Sequence, residues 1–103
     1  MLAPEFFQNI VGFQWDEGNS QKNWRRHGVT QTEAEQVFLN RPLVIGDDTK
    51  HSTREQRYFV LGQTDAGREL MVVFALRGSM LRVISARPMS LRERRVYAEA
   101  ESS

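Results

Sequence analysis

Met80-Leu-Arg-Val-Ile-Ser-Ala-Arg-Pro-Met-Ser-Leu-Arg-Glu-Arg-Arg-Val-Tyr97 is the stretch whose reading decides the fold. Its first half is a strand. Leu81, Val83 and Ser85 alternate with Arg82, Ile84 and Ala86, the period of two expected when two faces meet different surroundings. Pro88 has no N–H for a ladder and ends the strand. Ser90 then stands as an N-cap with Glu93 three residues on, a capping-box signature that opens a helix. The stretch gathers Arg82, Arg87, Arg92, Arg94 and Arg95 around one strand end and one helix start, with Glu93 the only acid. Arginine is permanently charged and forks onto phosphate. Arg82 and Arg87 are an odd number of residues apart and fall on opposite faces of a regular strand. They reach one site only if the chain bulges or bends near Ala86-Arg87-Pro88.

Working back from this stretch, Gly78-Ser79 is a two-residue hairpin connection. Glu69 to Leu76 is nearly all apolar, as for a strand buried on both faces. Thr64 to Gly67 is a turn and Tyr58 to Gly62 a strand. Asp47 to Ser52 is a polar loop after a short strand at Leu43 to Gly46. Thr30 with Glu33 is a second capping box, opening a helix to Leu39 whose Ala34, Val37 and Phe38 share one face. Arg41-Pro42 ends it. Ile10 to Trp15 is a first strand, and Asp16 caps a helix to Arg26 that Gly28 terminates in a left-handed turn, although Gly18, Asn19 and Ser20 are poor helix formers. Trp15 and Trp24 are read as packing anchors. The sum is α+β: an antiparallel meander with helices packed on one side.

The chain has 103 residues, the size of one domain with one real core, with residues 1–5 and 100–103 expected to fray. Net charge is +1, which by itself does not announce a nucleic-acid binder. The acids lie mostly in the first two thirds, while Arg77 to Arg95 is basic, which hints at an anionic partner. Cysteine is absent, so disulfides and thiolate chemistry are excluded. No signal peptide or long apolar run is visible, and the expected compartment is the cytoplasm. Phosphate-binding glycine loops, nucleophile elbows and zinc-finger spacings are missing.

Polar residues outside the arginine stretch leave alternatives open. Glu55 and Arg57 share a face in an extended chain: the carboxylate orients the cation, or the two form a surface ion pair of little consequence. His27 is favoured as an imidazolium by the helix C-terminus, or serves as a proton donor or acceptor beside phosphate. Asp47, Asp48 and His51 lack the spacing of any known metal motif, and no metal or other cofactor is expected. Arg92, Arg94 and Arg95 are a solvated helix surface or an RNA contact. Tyr97 packs its ring on the sheet and offers its hydroxyl.

In its order of short blocks the chain resembles the BrnT family, toxins of type II toxin–antitoxin modules, from Phe13 to about Glu99. The blocks are Phe13-Gln-Trp-Asp16, Asn23 and Arg26-His-Gly-Val29; then Glu33-Ala-Glu with Val37-Phe38; then Asp48, His51-Ser52, Glu55 and Arg57, closing at Gly62; then Arg82-Val-Ile-Ser-Ala-Arg87 with Glu93-Arg-Arg and Tyr97. The family reads W-D-x-x-K-x-x-x-N-x-x-K-H-G. Here Asn19 stands at its first lysine and Arg26 at its second, with Lys22 one turn beyond Asn19. The resemblance implies a RelE-like fold, metal-independent RNA cleavage through the 2′-hydroxyl, and inhibition of translation. It also implies a BrnA-like ribbon–helix–helix antitoxin in a heterotetramer of two toxins and two antitoxins. Under it Arg57, Arg82 and Arg87 are phosphate clamps, His27 an acid or base, and Glu55 an orienting group or base. Lys22, Arg26, Arg92, Arg95 and Tyr97 then hold RNA. The competing reading is a non-catalytic binding module, such as a decayed toxin that keeps its antitoxin or nucleic-acid contacts.

Overall fold

Alternation and turn chemistry produce four consecutive strands, the last three joined by short turns, and these form the spine of the protein. The computed structural model describes residues 7–51 and 54–103, so the expectations for residues 1–5 and for Ser52 lie outside it. In chain order the elements are β1 (Gly12–Gln14), α1 (Glu17–His27), α2 (Gln31–Leu39), β2 (Val44–Asp47), a 3₁₀ turn (Thr49–His51), β3 (Tyr58–Gln63), β4 (Glu69–Arg77), β5 (Met80–Pro88) and α3 (Leu91–Glu101). The sheet runs β1-β5-β4-β3-β2. β2 to β5 form the expected antiparallel meander, while β1 returns to pair in parallel with Met80 to Arg82 of β5. Gly78, first of the two hairpin residues, takes φ +60°, the left-handed conformation that such a connection demands of its first residue. Among the described residues no helix is long and apolar enough to cross a membrane.

β4 alternates without interruption. Leu70, Val72 and Phe74 enter one core cluster with Ala34, Val37 and Phe38 of α2; Met71 and Val73 face the other way. On the partner strand the register slips once. Phe74 stands opposite Val83 and Val73 opposite Ser85, leaving Ile84 as the extra residue of a β-bulge. Leu81, Val83 and Ala86 therefore join the α2 face, whereas Arg82, Ser85 and Arg87 oppose Ala75, Val73 and Met71 on the other.

The helices do not all lie on one side, as the sequence had suggested. α2 covers one face. α1 flanks β5, and beyond the short β1 its Asn23 Oδ1 accepts the Ala86 N–H at 3.1 Å. α3 lies across one end of the opposite face, where Tyr97 packs with Leu61, Met71 and Met89. The cause is visible in β4: a strand with apolar residues on both faces needs cover on both. α3 also continues to Glu101, beyond the expected fraying point, with Ser102 N–H donated to the Ala98 carbonyl. Trp15 is half-buried and donates its Nε1–H to Glu35 at 2.7 Å, but Trp24 is 59% exposed and anchors nothing in the core.

Both capping boxes form, and both glutamates have a second partner. Glu33 accepts the Thr30 N–H and also Arg68 Nη1. Arg68 in turn donates to the His27 and Gly28 carbonyls at the end of α1. Glu93 accepts the Ser90 N–H and both Nη groups of Arg87. The fork with Arg87 is the main reason the Glu93 carboxyl sits below its ordinary range. Burial raises Glu33, but the Thr30 N–H and Arg68 together outweigh it, so its carboxyl too ends below that range.

Two predictions follow from the packing and the caps. A Cβ at Gly62 falls 2.7 Å from Val37 Cγ1 and 2.9 Å from Leu43 Cδ2, so Gly62→Ala forces α2 off the sheet. It is expected to cost about 1–3 kcal/mol in urea unfolding, with the midpoint lowered. Because the folded pKa values of Glu33 and Glu93 lie below the unfolded value of about 4.3, their contribution is full above that pH and is lost as pH falls through the folded values. Unfolding free energy should drop between about pH 5 and pH 3, and the drop should be smaller in Glu33→Gln/Glu93→Gln, which keeps the cap acceptors without the titration.

Candidate functional site

The face opposite α2 is only partly covered by α3, and what remains open is a cleft of about 500 Å³. Its floor follows from strand register. Phe59 of β3 pairs with Val73 of β4, and Val73 with Ser85 of β5, giving one cross-strand row; Met71 and the bulged Ile84 complete it. Its rim is charged. Lys22 comes from α1, Asp48 and Arg57 from the connection between β2 and β3, Arg87 from the end of β5 and Glu93 from the first turn of α3. The Asp48 N–H donates to the Arg57 carbonyl at 2.9 Å, which extends the β2–β3 ladder by one step and fixes both residues at the rim.

Arg87 is held most firmly. Its Nη1 and Nη2 reach the two Glu93 oxygens at 2.8 and 2.9 Å, a parallel fork, and Nη1 also reaches the Pro88 carbonyl at 3.1 Å. The guanidinium is thereby fixed in position at the foot of α3, where the helix N-terminus adds partial positive charge. A second cluster lies at the other end of the same face. Arg77 forks onto Glu55 at 3.0 and 3.2 Å, and Arg82 Nη2 meets Asp16 Oδ2 at 3.0 Å. The Arg77 hydrogen bonds hold the Glu55 carboxyl below its ordinary range, with smaller help from the fields of Arg82 and Arg57. Arg82 pairs with Ala75, two residues before Arg77 on β4, so the two ion pairs are neighbours on this face. Such an array can bind an extended anion along the face, with an apolar surface between its cations.

The expected site residues divide accordingly. Arg57, Arg87 and Lys22 meet at the cleft. Arg82 shares their face because of the bulge, which sits at Ile84 and not near Pro88 as anticipated, and it does not join the described cleft lining. Glu55 is forked by Arg77 and not by its sequence neighbour Arg57, because β4 brings Arg77 alongside. His27 closes α1 half-buried, its carbonyl held by Arg68, and its ring is not part of the described lining. Arg26, Arg92 and Arg95 are exposed on helix surfaces. Tyr97 requires correction as an RNA contact: it is 0% exposed, and its hydroxyl donates to the Pro42 carbonyl at 2.8 Å, tying α3 to the start of β2.

Residues not anticipated at the site are Asp48, Glu93 and the floor of Phe59, Val73, Ile84 and Ser85. Glu93 was visible as a cap; its second role follows from Arg87 standing six residues upstream, one strand end away. Phe59 carried a signal in its strand alternation, since Tyr58 and Val60 take the core face and leave Phe59 on the other.

The family and structural comparisons with known proteins agree with each other. The model of the family described as ribonuclease toxin, BrnT, of type II toxin–antitoxin system matches residues 15–93. The fold is similar to the crystal structure of the Brucella abortus ribonuclease toxin, BrnT, with a TM-score of 0.58 and 24% identity, covering 79% of this chain and 99% of that one. No curated protein matches the sequence. Since the match spans most of the chain, from Trp15 through the arginine-held Glu93, the protein belongs to the BrnT family of ribonuclease toxins of type II toxin–antitoxin systems.

Proposed function

We propose that the protein is a metal-independent endoribonuclease whose substrate lies in the open-face cleft. The observation that carries this reading is the convergence of Lys22, Arg57 and Arg87 on the rim of one cleft. The 2′-hydroxyl attacks the adjacent phosphorus, the P–O5′ bond breaks, and the products are a 2′,3′-cyclic phosphate and a 5′-hydroxyl. Negative charge builds on the non-bridging oxygens, and fixed guanidinium groups meet it without reorganising. Arg57 and Arg87 are the clamps in this scheme, with Arg82 holding the neighbouring phosphate on the same face. Asp48 is our candidate to take the 2′-hydroxyl proton, since it is a rim carboxylate beside Arg57. Glu55 tunes the second cationic cluster. The leaving 5′-oxygen takes its proton from water or from His27 at the end of α1. Lys22 and Arg26 hold backbone, and exposed Arg92 and Arg95 touch distal phosphates. In the cell the toxin cleaves RNA, arrests translation and is silenced by a BrnA-like ribbon–helix–helix antitoxin in a two-plus-two complex.

Cleavage of a fluorogenic single-stranded RNA in EDTA tests the core of this scheme. Wild-type protein is expected to cut. Arg57→Ala and Arg87→Ala should each lose about 10²–10³-fold in kcat, whereas Arg92→Ala and Arg95→Ala should raise KM and leave kcat nearly intact. Folded wild-type protein that retains RNA but never cuts it would establish the binding-module reading instead. Light scattering on toxin co-expressed with the antitoxin reads the stoichiometry directly.

A further inference from the structure

The cleft floor is apolar, which phosphate recognition alone does not require. Phe59, Val73 and Ser85 form a continuous cross-strand row, and with strands about 4.8 Å apart this row is about 10 Å long, the scale of a nucleobase. Cations stand beyond both sides of the row. Arg87 pairs with Met71 and Arg82 with Ala75, four β4 residues away, so the two cationic ends lie about 13 Å apart with Val73 midway. Phe59 has a specific seat. Gly46, its cross-strand neighbour on β2, has no side chain, and a Cβ built there would fall 2.5 Å from Phe59 Cε1. The ring therefore lies over the Gly46 backbone, held on the β2 side and lining the cleft. An aromatic ring fixed beside arginines is the arrangement on which single-stranded nucleic acids stack their bases.

We infer that the cleft contains a base-stacking subsite, with Phe59 taking one unpaired nucleobase of a single-stranded RNA, Val73 and Ile84 completing its apolar wall, and Ser85 able to hydrogen-bond its edge. The sugar–phosphate backbone then passes along the charged rim, within reach of Arg57, Arg87 and, farther along the same face, Arg82. This rests on the ribonuclease reading above and adds to it that the enzyme requires an unstacked base, so that duplex RNA, whose bases face each other, is excluded. Phe59 acts here in binding and not in proton transfer.

The test uses the full chain and two uncleavable probes of equal length: a 2′-O-methyl oligouridine and an oligomer of the same sugar–phosphate backbone lacking every base. Wild-type protein is expected to bind the base-bearing probe about 5- to 100-fold more tightly than the abasic one. Phe59→Leu should lose most of that preference while binding the abasic probe as wild type does, and Phe59→Tyr should retain it. On cleavable RNA, Phe59→Leu should raise KM with kcat changed little. Equal wild-type affinity for the two probes overturns the subsite even if Phe59→Leu does not fold. An undiminished preference in folded Phe59→Leu overturns it as well. If either occurs while wild-type protein still cuts RNA and Arg87→Ala does not, the subsite falls and the ribonuclease reading stands. Wild-type protein that neither binds nor cuts RNA removes both.

Discussion

β5 must satisfy two incompatible surroundings, and it does so with one extra residue. Its first half faces α2 through Leu81 and Val83, which fall on odd positions; its second half does so through Ala86, an even one. Without the bulge at Ile84 a regular period of two would carry Arg87 into the core and Ala86 onto the open face. A guanidinium among Val72, Val83 and Leu70 would lose its hydration with no carboxylate to meet it, a penalty of several kcal/mol. The bulge reverses the parity in mid-strand. It brings Arg82, Ser85 and Arg87 onto one face and leaves Ile84 itself as part of the cleft wall. Bulges recur beside active sites because they re-aim side chains in this way.

The rest of the site hangs from two helix starts. At α2 and at α3 the N3 glutamate of the capping box also binds an arginine beside a strand end, Arg68 in the turn before β4 and Arg87 near the end of β5. One carboxylate therefore satisfies the helix N-terminus, fixes the helix to the sheet and aims a cation. Arg68 completes the circuit by binding the last carbonyls of α1, so that the helix bearing Lys22 is tied to the one that Glu33 begins. Tyr97 does the equivalent for the far end of α3 through Pro42. The cleft is rimmed by groups from α1, the β2–β3 connection, β5 and α3, and each of these is held by contacts that do not depend on bound RNA.

Local chemistry was legible in the sequence and long-range pairing was not. Thr30 with Glu33, Ser90 with Glu93, Gly28 at φ +62° and the Gly78 hairpin all formed as residue types dictate, because each is decided within four residues. The meander followed from alternation and short turns. The parallel return of β1, the side taken by α3 and the position of the bulge depend on which hydrogen-bond ladder skips a residue, and residue identity does not encode that. Glu55 illustrates the same limit. Arg57 is two residues away in the chain, yet the partner that hydrogen-bonds it is Arg77, brought there by the β3–β4 pairing. Tyr97 was legible as a ring packed on the sheet, but the partner of its hydroxyl was not, since Pro42 lies 55 residues away in the chain.

A net charge of +1 is a poor qualification for the proposed handling of a polyanion, but the arrangement of the ion pairs answers the difficulty. Arg68, Arg77, Arg82 and Arg87 each meet a carboxylate, and these pairs are partly exposed, so each is weak in free energy while strong in orientation. A phosphate arriving at Arg87 does not need to strip Glu93 of all its partners. In the proposed scheme Glu93 would keep the Ser90 N–H and its place at the positive end of α3 while one arm of the guanidinium fork turned to the substrate. The exchange is of one oxyanion for another at a pre-aimed donor, and little is lost from the helix in making it. Fully unpaired arginines would attract RNA from farther away but would have to be ordered on arrival. The paired ones trade reach for geometry, which is what the proposed reaction would ask of them, since its charge would develop at one phosphorus.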